Sequence, residues 1–332
     1  MKEFKHINAT SMNDAISLMS NCPESAVIAG GTDLITRMRS GLSNPSHLVN
    51  IKALPEINEI VYSEDSGLRI GAMALLDDIE RNQVIRESYG ILSQAAEQIA
   101  TPQIRNMGTI GGNLCQKPRC LYYRDPNFHC LRKGGKTCFV VRGENRYSAI
   151  IDGGPCFMVH PSDLAPALIA LDAKAEIISP NDSKLIPLED FFLTPKTDFH
   201  KENILATDEL ISGIQIQIQP SRAYGVYIKA MERKVWDFAI VSVALQISVE
   251  DKNIVDAHLV LGGVSPSPFR ARDAEKLLKG NRIDDDMADC ISEIALSTSR
   301  PLSDNGYKVV LAKSLIKRAL TEIDNGMIGE EG

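Results

Sequence analysis

Five of the seven cysteines, Cys115, Cys120, Cys130, Cys138 and Cys156, crowd into one stretch of the chain. Clustered thiols in a reducing compartment are more often metal-binding or redox-active than disulfide-bonded. The stretch follows directly on Arg105-Asn106-Met107-Gly108-Thr109-Ile110-Gly111-Gly112-Asn113-Leu114. Three glycines in five residues leave that backbone free to approach a ligand closely. Thr109 adds a hydroxyl and Asn113 an amide. A backbone cradle for an anionic group beside a soft-metal site implies two cofactors a short distance apart.

The spacing C-x9-C-x7-C-x17-C from Cys120 to Cys156 contains no tight CxxC knuckle, which argues against zinc. Four thiolates suit an iron–sulfur cluster. Its charge would be offset by Lys117, Arg119, Arg124, Arg132, Lys133, Lys136, Arg142 and Arg146. Pro118, Pro126, Gly134-Gly135 and Pro155 mark irregular backbone, and a loop this long without a core needs a staple. The bland alternative is a set of free, partly buried thiols. Cys115 follows Gly112-Asn113 so closely that its backbone belongs to the glycine cradle. The metal ligands are therefore taken as Cys120, Cys130, Cys138 and Cys156, with Cys115 the competitor of Cys156 for the fourth place. Cys22 and Cys290 fall in other elements and read as buried hydrophobes.

A second glycine turn lies upstream. Ala26-Val27-Ile28-Ala29 reads as a strand, Gly30-Gly31 breaks it, and Thr32-Asp33 caps a helix over Leu34–Arg39. Successive backbone N–H groups at such a turn form an anion-binding nest. On this segment alone an ordinary strand-to-helix turn is the better reading. No Gly-Lys-Ser/Thr follows, so it is not a P-loop, and the third glycine of a dinucleotide fingerprint is missing.

The elements that must carry these loops belong to a globular chain. Its 332 residues, 44% hydrophobic and 24% charged, allow two or three domains with real cores. A net charge of −7 argues against nucleic acid or an anionic membrane surface. The start, Met1 to His6, has no apolar h-region, and no apolar run is long enough to span a bilayer, so a cytoplasmic protein is expected. Strands are predicted at His47–Ile51, Leu68–Ala72, Phe157–Val159 and Ile211–Ile218, with a hairpin at Lys174–Ile178 and Ser183–Leu188. Helices are predicted at Leu75–Ile79, Ile91–Ile99 and Leu164–Leu171, the last capped by Ser162 or Asp163. Capping is also the plain explanation of Asp163. From about Ser221 the style changes. Tyr224–Met231, Ala239–Val249 and Ile254–Leu261 read as three antiparallel strands, the last two joined by a turn at Asp251-Lys252-Asn253. Helices at about 270–279, 285–297 and 305–323 complete an α+β unit, and the tail 325–332 is expected to fray.

Taken in order, Ala29-Gly30-Gly31-Thr32-Asp33-Leu34, Arg105 to Asn113, Ser162-Asp163-Leu164-Ala165-Pro166-Ala167-Leu168 and Asp237-Phe238-Ala239 resemble the FAD-binding subunit of the xanthine dehydrogenase family of molybdenum hydroxylases. The likeness covers nearly the whole chain. The four-cysteine loop resembles the variety of this subunit that carries a [4Fe-4S] cluster, similar to the medium subunits of aldehyde oxidoreductase and 4-hydroxybenzoyl-CoA reductase. The resemblance implies an α+β fold: a two-lobed α/β FAD-binding domain of the vanillyl-alcohol-oxidase type, then a C-terminal domain of the CO dehydrogenase flavoprotein type. The domains are set at 1–220, with lobes 1–57 and 58–220 and the iron–sulfur insert at 116–156, and at 221–325.

The resemblance also implies roles. Val27, Ile28, Ala29, Gly30, Gly31, Thr32, Asp33 and Leu34 would wrap the FAD pyrophosphate, and Ile104, Gly108, Thr109, Gly112 and Asn113 would complete the cradle. Asp163, Ile211 and Lys229 match further flavin contacts. The expected function is electron transfer beside a molybdenum-cofactor large subunit and a small [2Fe-2S] subunit, with no catalytic acid or base on this chain. The soluble acceptor or donor (NAD, ferredoxin or another) stays open, as does the direction of electron flow. Two rivals are a stand-alone flavin oxidoreductase and a zinc-stapled, non-enzymatic scaffold.

Overall fold

In the computed structural model, residues 1–54, 57–250 and 253–329 are described, and they form three sheets. The first is parallel. Strands β1 (Lys5–Asn8), β2 (Ser25–Ile28) and β3 (His47–Asn50) lie in the order β1-β3-β2. Parallel pairing requires crossover connections, and helices Met12–Asn21 and Leu34–Arg39 supply them. Strand β1 and the first helix were not foreseen. Polar Lys5, His6 and Asn8 surround Ile7, so β1 lacks the apolar alternation of a strand.

The second sheet holds β4 (Ile60–Ser63), β5 (Gly67–Gly71), β6 (Lys174–Ile178), β7 (Ser183–Pro187) and β8 (Leu210–Ile216), antiparallel in the order β4-β5-β8-β6-β7. The chain leaves this sheet after β5, builds everything from 72 to 173, and re-enters at β6. The glycine and cysteine segments are thus one long excursion from a rigid sheet. The β6–β8 register shifts between Glu176 and Ile177. That irregularity lets Ile211 and Ile214, three apart, both face the core.

The third sheet was expected to have three strands and has four: β9 (Ala223–Ala230), β10 (Val241–Glu250), β11 (Asn253–Gly262) and the two-residue β12 (Phe269–Arg270), antiparallel in the order β12-β11-β10-β9. Two residues are too short to leave a sequence pattern. Helices Arg272–Leu278, Asp285–Ala295 and Tyr307–Gly329 cover one face. Helices Gly90–Glu97 and Leu164–Ala170 pack on the other and join it to the second sheet in one core. Leu164–Ala170 is apolar all round because it is buried all round. β10 is buried along nearly its whole length, Ser242 and Gln246 included, because helices cover both faces of its sheet.

Other expectations need correcting. Phe157–Val159 joins no sheet, and Cys290 is exposed. The last helix continues to Gly329, past the point where fraying was expected. The turn expected at Asp251-Lys252-Asn253 falls largely on residues 251 and 252, outside the described residues, as does the tail from 330. No helix among the described residues is long and apolar enough to cross a membrane.

Candidate functional site

The two glycine segments meet. A Cβ added to Gly30 would lie 1.9 Å from the carbonyl oxygen of Met107, so only glycine lets the first turn rest on the second. Gly31 sits at φ +77, and the backbone N–H groups of Gly31, Thr32 and Asp33 donate to nothing among the described residues. They form an open anion nest. The second segment is less of a loop than its glycines imply: Ile110–Leu114 is a short helix whose cap Thr109 accepts from the Gly112 N–H at 3.1 Å. Asn113 Oδ1 accepts from Ser162 Oγ at 2.5 Å, and Ser162 Oγ accepts from the Ala165 N–H at 3.0 Å.

Between them opens a cleft of about 510 Å³. Its lining includes Val27, Ala29, Gly30, Gly31, Thr32, Asp33, Leu34, Ile104, Gly108, Thr109, Gly112, Asn113 and Asp163. Three of the expected residues are elsewhere. Ile28 is buried beneath the turn with Leu34 and Met38, and Ile211 points into the main core. Lys229 stands behind the wall, with its side chain 0% exposed. Its ammonium donates to Asp163 Oδ2 at 2.8 Å and to the carbonyls of Gln98 and Asp237 at 2.9 Å. Tyr227 Oη donates to Asp163 Oδ1 at 2.8 Å. Burial and the neighbouring Asp163 carboxylate push the Tyr227 phenol up, so it stays a donor. Ser162, not Asp163, caps the following helix, which leaves Asp163 free for this buried triad.

The sequence reading missed the cleft's arginines. Asp33 Oδ1 takes Arg119 at 2.7 Å and Arg124 at 2.9 Å; Oδ2 takes Arg37 at 3.0 Å and the Lys117 N–H at 3.1 Å. Burial alone would raise this carboxyl, but the guanidiniums of Arg119, Arg124 and Arg37 outweigh it and hold Asp33 below the usual carboxylate range. Burial brings Arg119 down to about 10 against the opposing pull of Asp33, so it remains charged at neutral pH. Its Nε is buried without a partner, a free donor in the cleft wall. Also missed were Trp236 and Phe238, which line the cleft next to the quoted Asp237. Trp236, the single tryptophan, is 57% exposed and held at φ 60. Its N–H donates to the carbonyl of Ala100, itself at φ 43, at 3.2 Å. Two non-glycine residues in the left-handed region, joined across the cleft wall, mark backbone strain at a working site.

The cysteines line two different cavities. Cys115 lines the cleft, and burial pushes its thiol up to about 12. Cys120, Cys130, Cys138 and Cys156 line one small separate cavity. Among the described residues no group of three or more His, Cys, Asp or Glu side chains is placed to hold a single metal ion. Cys138 and Cys156 share a hydrogen bond that lowers Cys138 to about 6 and raises Cys156. Arg132, with Tyr122, Tyr123 and Phe139, completes the lining.

Three anchors hold this irregular segment. Asp33 fixes its start. Buried Glu202 accepts from both Lys117 and Arg132. The C-terminal domain fixes its end: Asn305 Nδ2 donates to the carbonyls of Ser148 and Ala149, and Lys308 Nζ to those of Tyr147, Ser148 and Gly263.

Open backbone donors and a buried guanidinium N–H without a partner at one cleft make an anion-binding site, and its sequence is neither a P-loop nor a Rossmann fingerprint. The comparisons give the chain its family. Residues 2–216 match the FAD-binding domain of molybdopterin dehydrogenases, and residues 226–323 match the CO dehydrogenase flavoprotein C-terminal domain. The chain belongs to the family of FAD-binding medium subunits of molybdenum hydroxylases. It is 31% identical to the aldehyde oxidoreductase FAD-binding subunit PaoB of Escherichia coli, over 97% of this chain and 98% of that one. It is 27% identical to the glyceraldehyde dehydrogenase medium chain of Sulfolobus acidocaldarius, with the same coverage. The fold matches the carbon monoxide dehydrogenase structure from Hydrogenophaga pseudoflava with a TM-score of 0.78, at 22% identity over 97% of each chain.

Proposed function

We propose that this chain is an electron-transfer subunit that carries FAD in the cleft and a [4Fe-4S] cluster in the cysteine cavity. It would work in a complex with a molybdenum-cofactor large subunit and a small [2Fe-2S] subunit. The observation that carries the reading is one of adjacency. Arg119 lines the cleft and Cys120 lines the cysteine cavity, and they are consecutive residues, about 3.8 Å apart along the backbone. Two cofactors held by neighbouring residues of one chain are close enough to exchange electrons.

FAD, when bound, supplies two-electron chemistry and the cluster one-electron chemistry. The chain's own residues bind and position. Gly31, Thr32 and Asp33 offer N–H donors to the pyrophosphate, and Arg119 offers charge. Asp163 is held rigid by Lys229 and Tyr227 at the cleft wall. Cys120, Cys130, Cys138 and Cys156 supply thiolates, and Cys115, with its raised thiol, stays protonated in the cleft.

Single Cys→Ser variants test the assignment through iron content and the low-temperature EPR signal of the reduced protein. Substitution of Cys120, Cys130, Cys138 or Cys156 should remove the cluster, and Cys115→Ser should keep it. A cluster lost in Cys115→Ser but kept in Cys156→Ser reverses the fourth ligand. Zinc in place of iron ends the cluster reading. Flavin is tested separately. Adding FAD to flavin-free protein should quench the emission of Trp236, and unchanged emission would put the ring system away from this wall.

A further inference from the structure

We infer that Arg132 sets the reduction potential of the cluster in the cysteine cavity, holding it more positive than the four thiolates alone would; this rests on the cluster reading above. Arg132 is the single charged side chain in the lining of that cavity among the described residues, and its side chain is 2% exposed. One end of the guanidinium is committed: Nη2 donates to Glu202 and to the His200 carbonyl, the latter at 3.3 Å. The Tyr123 ring lies 5.9 Å from its central carbon and lines the same cavity. The other two nitrogens are free. Nε and Nη1 are both buried without a partner, and no other side chain among the described residues is left with two such nitrogens.

Buried donors are normally satisfied, so two unpartnered guanidinium nitrogens on a residue that lines a cavity of four sulfurs point to an acceptor there. Anionic thiolates and cluster sulfides are such acceptors. No other basic residue of the loop lines this cavity, and Lys136 and Arg142 are exposed. Lys133 donates to the carbonyls of Tyr122 and Asp125, and Arg119 and Arg124 pair with Asp33. Reduction adds one electron to a centre already negative. A buried positive charge beside the sulfurs stabilises the reduced form more than the oxidised one, and cluster potentials follow net charge and hydrogen bonds to the sulfurs. Glu202 tempers the effect as the counter-ion of Arg132.

The test is an EPR-monitored redox titration of the full chain, with iron and labile sulfide counted in each sample. Arg132→Met should disfavour reduction at least tenfold, a shift of about 59 mV to more negative potential for a one-electron couple. Glu202→Gln, which keeps Arg132 and removes its counter-ion, should move the midpoint the opposite way. Lys117 remains beside Glu202 in the first variant, so the carboxylate is not stranded. A loaded Arg132→Met protein with an unchanged midpoint overturns the inference and leaves the cluster reading standing. If Arg132→Met fails to load, Glu202→Gln decides: a positive shift supports the inference, and no shift or a negative one overturns it. Wild-type protein that takes up no iron ends the cluster reading and this inference with it.

Discussion

Asp33→Ala should strip the flavin and loosen the start of the cysteine loop together. One carboxylate receives Arg37, Arg119, Arg124 and the Lys117 N–H, so it ties the first glycine turn to the segment before Cys120. Its removal strands three guanidiniums in one partly buried wall. Breaking a buried pair costs about 3–5 kcal/mol, and these arginines are 16–26% exposed, so the lower end is expected. Thermal unfolding should drop accordingly, and the purified variant should carry little flavin. Full occupancy at wild-type stability would show that the arginines find other partners. The pH dependence has a definite sign. The folded carboxyl is held below its ordinary value, so its contribution is fully present above about pH 4. It is lost as pH falls through the lowered value, when protonation discharges the node. Flavin retention should be flat from neutral pH to about 4 and fall below it, and Asp33→Asn should be poor throughout.

What was legible in the sequence was what glycine and cysteine say locally. Gly30, Gly31, Gly108 and Gly112 announce close backbone approach by their type alone, and the cleft is where they converge. Cys115 was set apart by its place directly behind Gly112-Asn113; it lines the cleft, while Cys120, Cys130, Cys138 and Cys156 line the other cavity. The arginine node was not legible. Asp33 lies 91 positions from Arg124, and a charge pair across such a distance leaves no periodic trace. Trp236 was missed for a related reason: its place on the cleft wall depends on an unusual φ and on a bond to Ala100. Lys229 was tied to the flavin by resemblance. Its ammonium is instead spent on Asp163 and two carbonyls, so it shapes the cleft without lining it. Ile211 shows how a sheet irregularity defeats simple alternation, since the β6–β8 shift turns it into the core.

Gly30→Ala should have the larger effect of the two cradle glycines, although the pattern of the second segment draws more attention to Gly112. At Gly112 a Cβ would approach one atom, Thr109 Oγ1, at 3.0 Å, and a hydroxyl can give way. At Gly30 the Cβ would sit 1.9 Å from the Met107 carbonyl oxygen, 2.8 Å from its carbon and 3.1 Å from the Gly108 Cα. All three are backbone, and that backbone is fixed by Gly108 N–H donating to the Ile104 carbonyl at 2.7 Å and Leu76 N–H to the Gly108 carbonyl at 2.9 Å. Relief therefore requires the two turns to part. Overpacking of this kind costs about 1–3 kcal/mol or more, and here it falls on the geometry that aims the Gly31, Thr32 and Asp33 donators. Gly30→Ala should fold with a lowered melting temperature and retain almost no FAD. Gly112→Ala should fold normally and bind more weakly, because its methyl group projects near the cleft wall that the ligand must touch. Gly41→Ala serves as the control: nothing lies within 4 Å of its Cβ, but φ +76 costs strain, so stability should fall while FAD affinity holds. FAD content of the three proteins, measured at equal folded concentration, separates a cradle from a turn. Equal flavin in Gly30→Ala and wild type would mean that the contact between the turns is incidental to binding.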